Sequence, residues 1–559
     1  MRRSLRWGLV AMALAAAPVL AQPQIESVEL GLGGRFLPGV PTPVAVSIRP
    51  GGISRAVILE IFQRAERGSL ERVQVPLHLG PRTRQQISID FPIKSVSAPL
   101  EITLRDDTGE LARMTKDVRQ LWSESPLTLG IALDPQIPLR LIEIDLEKLP
   151  KRWTSYEGVG RIVWGRADPA RLSAEQRRAL QGWLVRGGEL IILSGANWPE
   201  QSPSPPWWEK LLPITEGHVV RRAFDGQETF WLEGQPRPEA QVTHTAQGYP
   251  LAWEHPIGEG RVILVASNAL PEELKLPTLS PKRSSEEDLL IAKALGSMTI
   301  PYPSRELISI ALILFVMLVG LSGALVTRAP RTPLWIGVVA LGLSAGFYSY
   351  QRSAEFSSDT YTLEIGVMRV SPVLSWESYW YGVFVQRPHD VSLTVSADVI
   401  SALNPGTLLP SAEELVKELM PGGDWKVSFR SERASVRFVK VERMREPWIV
   451  GRLEGSQAWL SHRAPVALQD VIAYSGGAFY KLGTIAAQAE LVRPLTERIS
   501  QADWMSTLSG ERRRVWQQWG RISSKTQFIG WIEHPRASPI GLAPRERRTA
   551  LYLVIVERE

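Results

Sequence analysis

The sequence predicts a multidomain α+β protein that two helices anchor in a membrane. Three observations predict it: apolar residues alternate with period two at both ends of the chain, apolar strands alternate with helices in the centre, and two uncharged apolar runs follow the central region. With 559 residues the chain is long enough for several domains, each with its own core. A hydrophobic share of 44% and a charged share of 22% exclude an intrinsically disordered protein.

Residues 1–21 are typical of a secretory signal peptide. The chain begins with three arginines among its first six residues, continues with an apolar run at 7–17, and has the small residue Ala21 before Gln22. A basic start, a short apolar middle and a small final residue predict cleavage after Ala21. The alternative is an uncleaved anchor helix, for which the apolar run is shorter than the ~20 residues of a membrane span.

Residues 22–120 predict an immunoglobulin-like β-sandwich. Apolar residues occupy alternate positions, as in Val44, Val46 and Ile48, and turn sequences such as Pro50-Gly51-Gly52 separate the short runs. No catalytic cluster occurs here, so we expect this domain to be a spacer or docking module.

Residues 121–300 predict a flavodoxin-like α/β domain. Nearly continuous apolar runs at 127–133, 161–164, 189–193 and 261–266 are typical of a parallel sheet that is covered on both faces. A capping box of Ser173 and Gln176 and the pair Gly187-Gly188 predict the start and stop of a helix between two of these runs. A further strand is expected within 141–146.

Residues 305–350 predict a transmembrane hairpin. The spans 307–326 and 334–350 contain no charged residue, and the short loop between them contains Arg328 and Arg331. Arginine in a short loop favours the cytoplasmic side, so both flanking regions should lie outside the cytoplasm. The signal peptide predicts the same placement for the N-terminal part. The alternative is a pair of helices buried in a soluble protein.

Residues 351–559 predict a C-terminal β-rich extracytoplasmic sandwich, interrupted by short helices at 412–419 and 511–519. The run Arg512-Arg513-Arg514 is expected to form a solvated helix face or to contact anionic lipid. The net charge of +6 is spread along the chain, and an exported protein does not meet nucleic acid, so no nucleic-acid partner is expected.

The central region resembles the class I glutamine amidotransferase-like domain found in uncharacterised bacterial membrane proteins. The resemblance rests on Tyr156-Glu157-Gly158-Val159, on Leu172-Ser173-Ala174-Glu175-Gln176 and on Gly187-Gly188-Glu189-Leu190. It covers about 180 residues and implies an α/β fold. In active members of the family a cysteine nucleophile follows the strand that corresponds to 189–193. Here Ser194 follows that strand, and the chain has no cysteine. The family's downstream His-x-Glu pair is also absent, since Ile257 replaces glutamate after His255.

The remaining candidate for catalysis is a serine site. Ser194 would be the nucleophile, His255 the base and Glu254 the group that orients it. Against this, Ser194 lacks the flanking glycines of a nucleophile elbow, and a serine that ends a strand is ordinary. None of the seven histidines is spaced as a metal ligand, and Gly258-Glu259-Gly260 precedes a strand, as a hairpin turn does. No metal or cofactor is therefore expected.

The chain is rich in tryptophan, and one group of these residues suggests a ligand-binding role. Trp198, Trp207 and Trp208 lie in the segment after the 189–193 strand, at the edge of an open α/β sheet where ligands bind. Indole rings there would stack on a sugar or on a partner's side chains. The alternative is that they pack beneath a proline-rich loop or contact the membrane interface.

The sequence as a whole predicts a non-enzymatic envelope protein in the bacterial cytoplasmic (inner) membrane. Its large regions would serve as extracytoplasmic surfaces for binding or assembly, with the lipid bilayer and other envelope or membrane proteins as partners. Two alternatives remain open: a serine hydrolase that acts on an envelope substrate through Ser194 and His255, and an accessory subunit of a membrane transport or export complex.

Overall fold

A computed structural model shows a β-rich molecule built from several sheets. It describes residues 22–270 apart from breaks at 53, 65–69, 82, 135–140, 199–203, 225–226 and 269, and residues 360–557 apart from breaks at 372, 386–388, 404–414, 432–434, 520–525, 533–539 and 542–546. Between these two parts it describes the helical residues Asp288, Leu290, Ile291, Leu295, Ile313 and Met317.

The N-terminal region is all β, as its alternating pattern predicts. Its strands are β1 (Gln24–Leu30), β2 (Pro41–Arg49), β3 (Arg55–Arg64), β4 (Leu70–Leu79), β5 (Gln85–Pro92), β6 (Leu100–Asp106) and β7 (Gly109–Lys116). Strands β1, β2 and β5 form an antiparallel sheet. In β2 the alternate residues Val44, Val46 and Ile48 are fully buried, so this face of the sheet lies on the core.

The central region contains a sheet in which the predicted strands run parallel. Its elements are β8 (Leu127–Ile131), β9 (Ile142–Glu143), β10 (Val159–Trp164), α1 (Ala174–Val185), β11 (Glu189–Leu193), α2 (Pro206–Glu209), β12 (Ile214–Phe224), β13 (Gln227–Pro236), β14 (Gln241–Ala246), β15 (Tyr249–Ile257) and β16 (Gly260–Val265). The order across the sheet is β14-β15-β16-β11-β10-β8-β9. Strands β16, β11, β10, β8 and β9 are parallel, and the β14–β15 hairpin adds an antiparallel edge.

Helix α1 begins and ends where its sequence predicts. The Ser173 hydroxyl accepts a hydrogen bond from the Gln176 N–H (3.2 Å), and the Gln176 side chain accepts one from the Ser173 N–H (3.0 Å), which completes the capping box. Gly187 then adopts a φ of +97°, a conformation that glycine favours after a helix. Among the described connections, only β10 to β11 contains a long helix. Helices on both faces of the sheet, which the sequence predicts, are not seen in the described part of the chain.

The C-terminal region is also mainly β. Its elements are β17 (Thr360–Val370), β18 (Ser375–Val385), β19 (His389–Val395), β20 (Val399–Leu403), β21 (Leu415–Leu419), β22 (Trp425–Ser431), β23 (Ser435–Arg445), β24 (Ile449–Glu454), β25 (Gln457–His462), β26 (Leu468–Ser475), β27 (Ala478–Ile485), β28 (Glu490–Pro494), β29 (Arg498–Ile499), α3 (Gln501–Thr507), α4 (Gly510–Trp519), β30 (Thr526–Ile532), β31 (Ile540–Gly541) and β32 (Arg547–Glu557). A nine-stranded sheet of order β20-β23-β18-β17-β32-β30-β26-β27-β29 forms its body.

One sheet joins the two ends of the chain. Its order is β31-β19-β22-β21-β4-β3-β6-β7, so C-terminal strands continue directly into N-terminal ones through the parallel pair β21 and β4. Beside this pair the Lys417 ammonium contacts the buried carboxylate of Glu71, which also lies 2.6 Å from the Lys94 ammonium. The largest core cluster contains residues from Ile25 to Val556. The two β regions, which the sequence predicts as separate sandwiches, therefore share a core.

Two details of the C-terminal prediction are wrong. The predicted helix at 412–419 is strand β21 over its described residues, because this segment pairs with β4 and β22. The run Arg512-Arg513-Arg514 lies in the predicted helix, here α4, but Arg512 is buried. Its guanidinium pairs with Asp470 and donates to the Gln469 side chain (2.6 Å), so it fastens α4 to the nine-stranded sheet.

The predicted membrane spans at 307–326 and 334–350 lie outside the described residues, except for Ile313 and Met317. No helix within the described part of the chain combines the length and the hydropathy needed to cross a bilayer. The predicted signal peptide at 1–21 also lies outside the described residues.

Candidate functional site

Ser194 lies at the carboxyl end of β11 and is fully buried. Its hydroxyl donates a hydrogen bond to the carbonyl oxygen of Val265 on the neighbouring strand β16, and its backbone N–H donates to the same oxygen (3.1 Å). A serine that is closed off from solvent and bonded to a backbone carbonyl is not presented to a substrate. Ser194 therefore completes the hydrogen bonding of the strand end.

The structure does not bring His255 to Ser194. His255 lies opposite Val262 on β16, and Val262 lies opposite Leu190 on β11, four residues before Ser194. About 13 Å along the strands, and two interstrand spacings of about 4.8 Å, separate the two residues. His255 Nδ1 instead lies 3.1 Å from the Leu211 carbonyl oxygen, and burial lowers the pKa of the imidazole.

Glu254 is engaged away from His255 as well. Its carboxylate lies 3.3 Å from the Arg261 guanidinium on β16. Adjacent residues of a strand point to opposite faces of the sheet, so Glu254 is not placed to orient His255. The geometry therefore removes the basis for a serine site made of Ser194, His255 and Glu254.

The three candidate tryptophans pack into the core of the central region. Trp198 is buried and its indole N–H donates to the Gly217 carbonyl oxygen (3.2 Å). Trp208 is fully buried, with its ring 4.9 Å from that of Trp164 and 5.3 Å from that of half-buried Trp207. Trp198 and Trp208 therefore belong to the core of the central region, and Trp207 packs against it.

A polar cluster that the sequence analysis missed lies at the carboxyl edge of the parallel sheet. Asp134 follows β8, Arg166 follows β10, Asn197 follows β11 and Asn268 follows β16, and we call these four residues the carboxyl-edge cluster. The Arg166 guanidinium lies 3.1 Å from the Asp134 carboxylate and donates to the Asn197 amide oxygen (3.2 Å). The Asn268 amide donates to the other Asp134 oxygen (3.4 Å).

The carboxyl-edge cluster presents hydrogen-bonding groups that are partly exposed. Half of the Arg166 side chain (52%) and a quarter of the Asp134 side chain (26%) are exposed, so a polar ligand can reach them. Amides and an arginine–carboxylate pair donate and accept hydrogen bonds in fixed directions, but they supply no nucleophile. In open α/β sheets the carboxyl edge is where ligands bind.

A cleft of about 820 Å³ opens beside the same edge, between the N-terminal and central regions. Its lining includes Gly130 and Ala132 at the end of β8, the turn after β1 at Gly31 and Gly33, and Lys116. Ala132 has a φ of +47°, which is unfavourable for a residue with a side chain. The chain thus leaves β8 through a tight bend that shapes the cleft.

A second charged cluster lies beside a cavity where the three described regions meet. Arg186, at the end of α1, lies 2.9 Å from Glu157 and 2.8 Å from Glu442 of the C-terminal sheet. Lys440 lies 3.2 Å from Glu442 and 3.0 Å from Asp288. We call these five residues the junction cluster; with Glu71 and Lys94 of the N-terminal region they line a cavity of about 190 Å³.

Within the junction cluster, Arg186 and Glu442 hold each other in their charged forms. The Arg186 guanidinium is buried and lies over the rings of Trp153 (4.5 Å) and Trp376 (4.2 Å). Burial alone would raise the pKa of Glu442, but Arg186 and Lys440 hold it well below its usual range. Burial likewise opposes the charge of Arg186, yet Glu157 and Glu442 raise its pKa above the ordinary value. This cluster is therefore a structural joint.

Comparisons with known proteins assign no family. No protein-family model and no curated protein matches the chain. Among solved structures it is similar to a cytoplasmic protein from Salmonella typhimurium LT2, with 13% identity over 23% of this chain and 71% of that one and a TM-score of 0.18. A second cytoplasmic protein from Salmonella typhimurium has 11% identity over 23% and 70%, with a TM-score of 0.19. A cycloisomaltooligosaccharide glucanotransferase from Paenibacillus sp., complexed with cycloisomaltoheptaose, has 10% identity over 39% and 35%, with a TM-score of 0.17. Scores this low support no conclusion about fold or function.

A sequence signal existed for the carboxyl-edge cluster but not for the junction cluster. Asp134, Arg166 and Asn197 each come within a few residues of the end of a predicted strand, which the rule for open α/β sheets marks as a ligand-binding position. Arg186 and Glu442 are 256 residues apart, and nothing near either residue predicts the other.

Proposed function

We propose that this protein is a non-enzymatic, membrane-anchored envelope protein whose three described regions form an extracytoplasmic platform for binding or assembly. One observation carries the proposal: the residues that flank the predicted membrane hairpin pack in one core cluster. Ile291 and Leu295, which precede the hairpin, are buried together with Leu363 and Ile365, which follow it. If the segment between them crosses a membrane, the parts of the chain before and after that segment therefore lie on the same side of it.

Two described residues inside the first predicted span support the anchor. Ile313 and Met317 are helical and four positions apart, so they share one helix face. Their apolar side chains are 58% and 55% exposed. A helical pair buried in a soluble protein would cover such side chains, whereas lipid-facing residues of a span have no protein over them.

The shared eight-stranded sheet supports a common compartment for both large regions. Strands β4 and β21 lie on either side of the predicted hairpin in the sequence and pair directly in the fold. Because two strands of one sheet must meet on one side of a bilayer, the predicted export of residues 22–300 carries residues 351–559 with it. The arginines of the loop between the spans would then be cytoplasmic.

The strand order supports the finer interpretation of the central region as a flavodoxin-like domain that resembles the glutamine amidotransferases. Numbered along the chain, β8, β9, β10, β11 and β16 run in the order 2-1-3-4-5 across the parallel part of the sheet, which is the flavodoxin-like order. Ser194 stands where that family has its nucleophile, and its hydroxyl is buried. The proposal is therefore a binding domain without catalysis. The alternative of an accessory subunit of a transport or export complex differs from this proposal only in naming the partner.

The test is recovery of partners from native membranes by cross-linking. We expect the full-length protein to cross-link to other envelope proteins, and expect Asp134→Ala or Arg166→Ala to reduce their recovery. The matched control is Arg171→Ala, an exposed arginine of the same region outside the carboxyl-edge cluster. If the wild-type chain is recovered alone under all cross-linking conditions, an assembly role is excluded. Release of the chain from membranes by alkaline carbonate would exclude the anchor.

A further inference from the structure

The carboxyl-edge cluster lies where the strand order of the parallel sheet reverses. Strand β9 lies on one side of β8, and the later strands β10 and β11 lie on the other. Asp134 follows β8 and Arg166 follows β10, so this pair connects the two segments that leave the sheet at the reversal. Open α/β sheets bind ligands in the crevice at such a point. The cluster therefore occupies a favoured position for a ligand.

The charges of the cluster compensate each other. The Arg166 guanidinium lies 3.1 Å from one carboxylate oxygen of Asp134, and the Asn268 amide donates to the other oxygen (3.4 Å). An anionic ligand would be repelled by the Asp134 carboxylate, and a cationic ligand by the guanidinium. A neutral ligand that both donates and accepts hydrogen bonds avoids both repulsions. The pairing of charges therefore favours hydroxyl groups over phosphate, carboxylate or ammonium groups.

An exposed aromatic residue of β13 adjoins the cluster. The Leu232 N–H of β13 donates to the carbonyl oxygen of Ala266, the residue after β16 (2.8 Å). Gly195 has a φ of +57°, and a Cβ atom there would lie 2.8 Å from the Phe230 carbonyl oxygen and 3.0 Å from the Asn268 backbone nitrogen. The ends of β11 and β16 and the strand β13 thus meet at this glycine. Phe230 is 43% exposed, although phenylalanine is usually buried.

The charged neighbours of Phe230 on the same face of the β12–β13 ribbon are of opposite sign. Arg221 lies directly opposite Phe230, with its guanidinium over the ring (5.4 Å). Glu228 lies two residues from Phe230 along β13, so it projects from the same face. Both side chains are exposed. Among the described residues on this face, the positive and the negative charge beside the ring therefore offset each other.

We propose that the carboxyl-edge cluster and Phe230 form a binding site for a neutral saccharide. This inference rests on the proposed binding function of the central region and names its ligand class. A sugar ring carries adjacent hydroxyls, which can donate to the Asp134 carboxylate and accept from the Arg166 guanidinium. Its C–H face is apolar and packs on an exposed aromatic ring. A free oligosaccharide and a glycan strand of the cell wall share this chemistry.

The test is a binding measurement with three saccharide probes. The full-length protein in nanodiscs, which contain no sugar detergent, would be titrated with maltotetraose and with tetra-N-acetylchitotetraose by ligand-observed NMR. Co-sedimentation with purified peptidoglycan sacculi distinguishes a cell-wall glycan from a free oligosaccharide. We expect at least one soluble probe to bind with a dissociation constant of about 1 mM or tighter, or the sacculi to retain the protein. Binding to none of the three probes would overturn the proposal.

Variants of the two parts of the site show whether binding occurs there. Phe230→Leu keeps an apolar side chain but removes the ring, so it should weaken binding about tenfold, whereas Phe230→Tyr should retain it. Arg166→Met should weaken binding to a similar extent, and Arg171→Met, at an exposed arginine of the same region, should not. Thermal melting of each variant checks that the fold is kept. Undiminished binding in Phe230→Leu or in Arg166→Met would contradict the proposed site.

Failure of the saccharide site can be separated from failure of the proposed function. If cross-linking recovers envelope partners while no saccharide binds, the saccharide site alone is refuted. If the protein binds a saccharide but alkaline carbonate releases it from membranes, the anchor alone is refuted.

Discussion

Arg186 shows how much of this architecture depends on a single side chain. It ends helix α1 of the central region, lies over the rings of Trp153 and Trp376, and neutralises a buried carboxylate of the C-terminal sheet. Two tryptophans lose little freedom when they hold a planar guanidinium, and the guanidinium pairs with two carboxylates at once. Part of the tryptophan excess that the sequence displays therefore serves this joint.

Removal of the Arg186 charge should destabilise the protein strongly. In Arg186→Met the buried carboxylate of Glu442 and the partly buried carboxylate of Glu157 lose their partner, and breaking a buried pair from one side costs about 3 to 5 kcal/mol. The matched variant Arg171→Met breaks an exposed pair with Glu147 and should cost less than about 1 kcal/mol. Urea denaturation of the detergent-solubilised protein measures both. Equal losses would show that the junction cluster contributes no more than a surface pair.

Two buried histidines should make stability fall in mild acid. Burial lowers the pKa of both His255 and His462 in the folded protein. Below the ordinary histidine pKa of about 6.5 the unfolded chain binds protons that the folded chain does not, so the free energy of unfolding decreases as the pH falls. Replacement of both by glutamine should flatten this decrease between pH 7 and pH 5. His218→Gln, at an exposed site, is the control, and an equal flattening there would contradict the assignment.

At the scale of elements, strand β21 is a segment whose local sequence pattern predicts the wrong secondary structure. The spacing of Leu415, Val416 and Leu419 agrees with the helix that the sequence predicts at 412–419. In the fold β21 lies between β4 and β22 and hydrogen-bonds to both. Pairing on both sides, together with the buried contact of Lys417 with Glu71, outweighs a helical preference that amounts to fractions of a kcal/mol per residue.

A proline in β21 should uncouple the two ends of the chain. Because β21 is paired on both sides, Val416→Pro removes a ladder hydrogen bond wherever its N–H points. We expect faster amide hydrogen exchange in β4, with at least about 1 kcal/mol of protection lost. Thr115→Pro in β7, an edge strand of the same sheet, should leave exchange in β4 unchanged. If both variants act alike on β4, direct coupling through β21 is refuted.

At the scale of the whole molecule, residues that precede the predicted hairpin pack against residues that follow it. The contact of Lys417 with Glu71 spans 346 positions of sequence, and the largest core cluster draws on strands from both ends of the chain. A molecule that is built in this way holds together through its sheets and not through the segment that links them.

Cleavage between the predicted spans should therefore not separate the halves. A protease site inserted at Pro330 and cut in detergent should leave two fragments that co-elute by size exclusion, because they share the eight-stranded sheet and the junction cluster. Introducing Val416→Pro into the same cut protein should make the fragments separate more readily. Fragments that part without denaturant would show that the shared sheet is too weak to join them.

The carboxyl-edge cluster can be predicted from the sequence only in part. The sequence predicts that β8, β10, β11 and β16 are parallel, and the structure confirms it, so the position of the edge follows from sequence. Which side chains meet there does not, because Asn268 lies 134 residues from Asp134 and each is an ordinary loop residue on its own. The serine site failed for the same reason, since strand register separates Ser194 from His255.

The sequence by itself determines features that depend on neighbours along the chain. The alternation of β2, the capping box and glycine stop of α1, the β15–β16 turn and the absence of every cysteine chemistry follow from short spacings or composition. Only the tertiary structure decides that β4 pairs with β21, that Arg186 meets Glu442, and that both flanks of the predicted hairpin share one core. These are choices among distant partners, and burial and register, which select them, are properties of the folded chain.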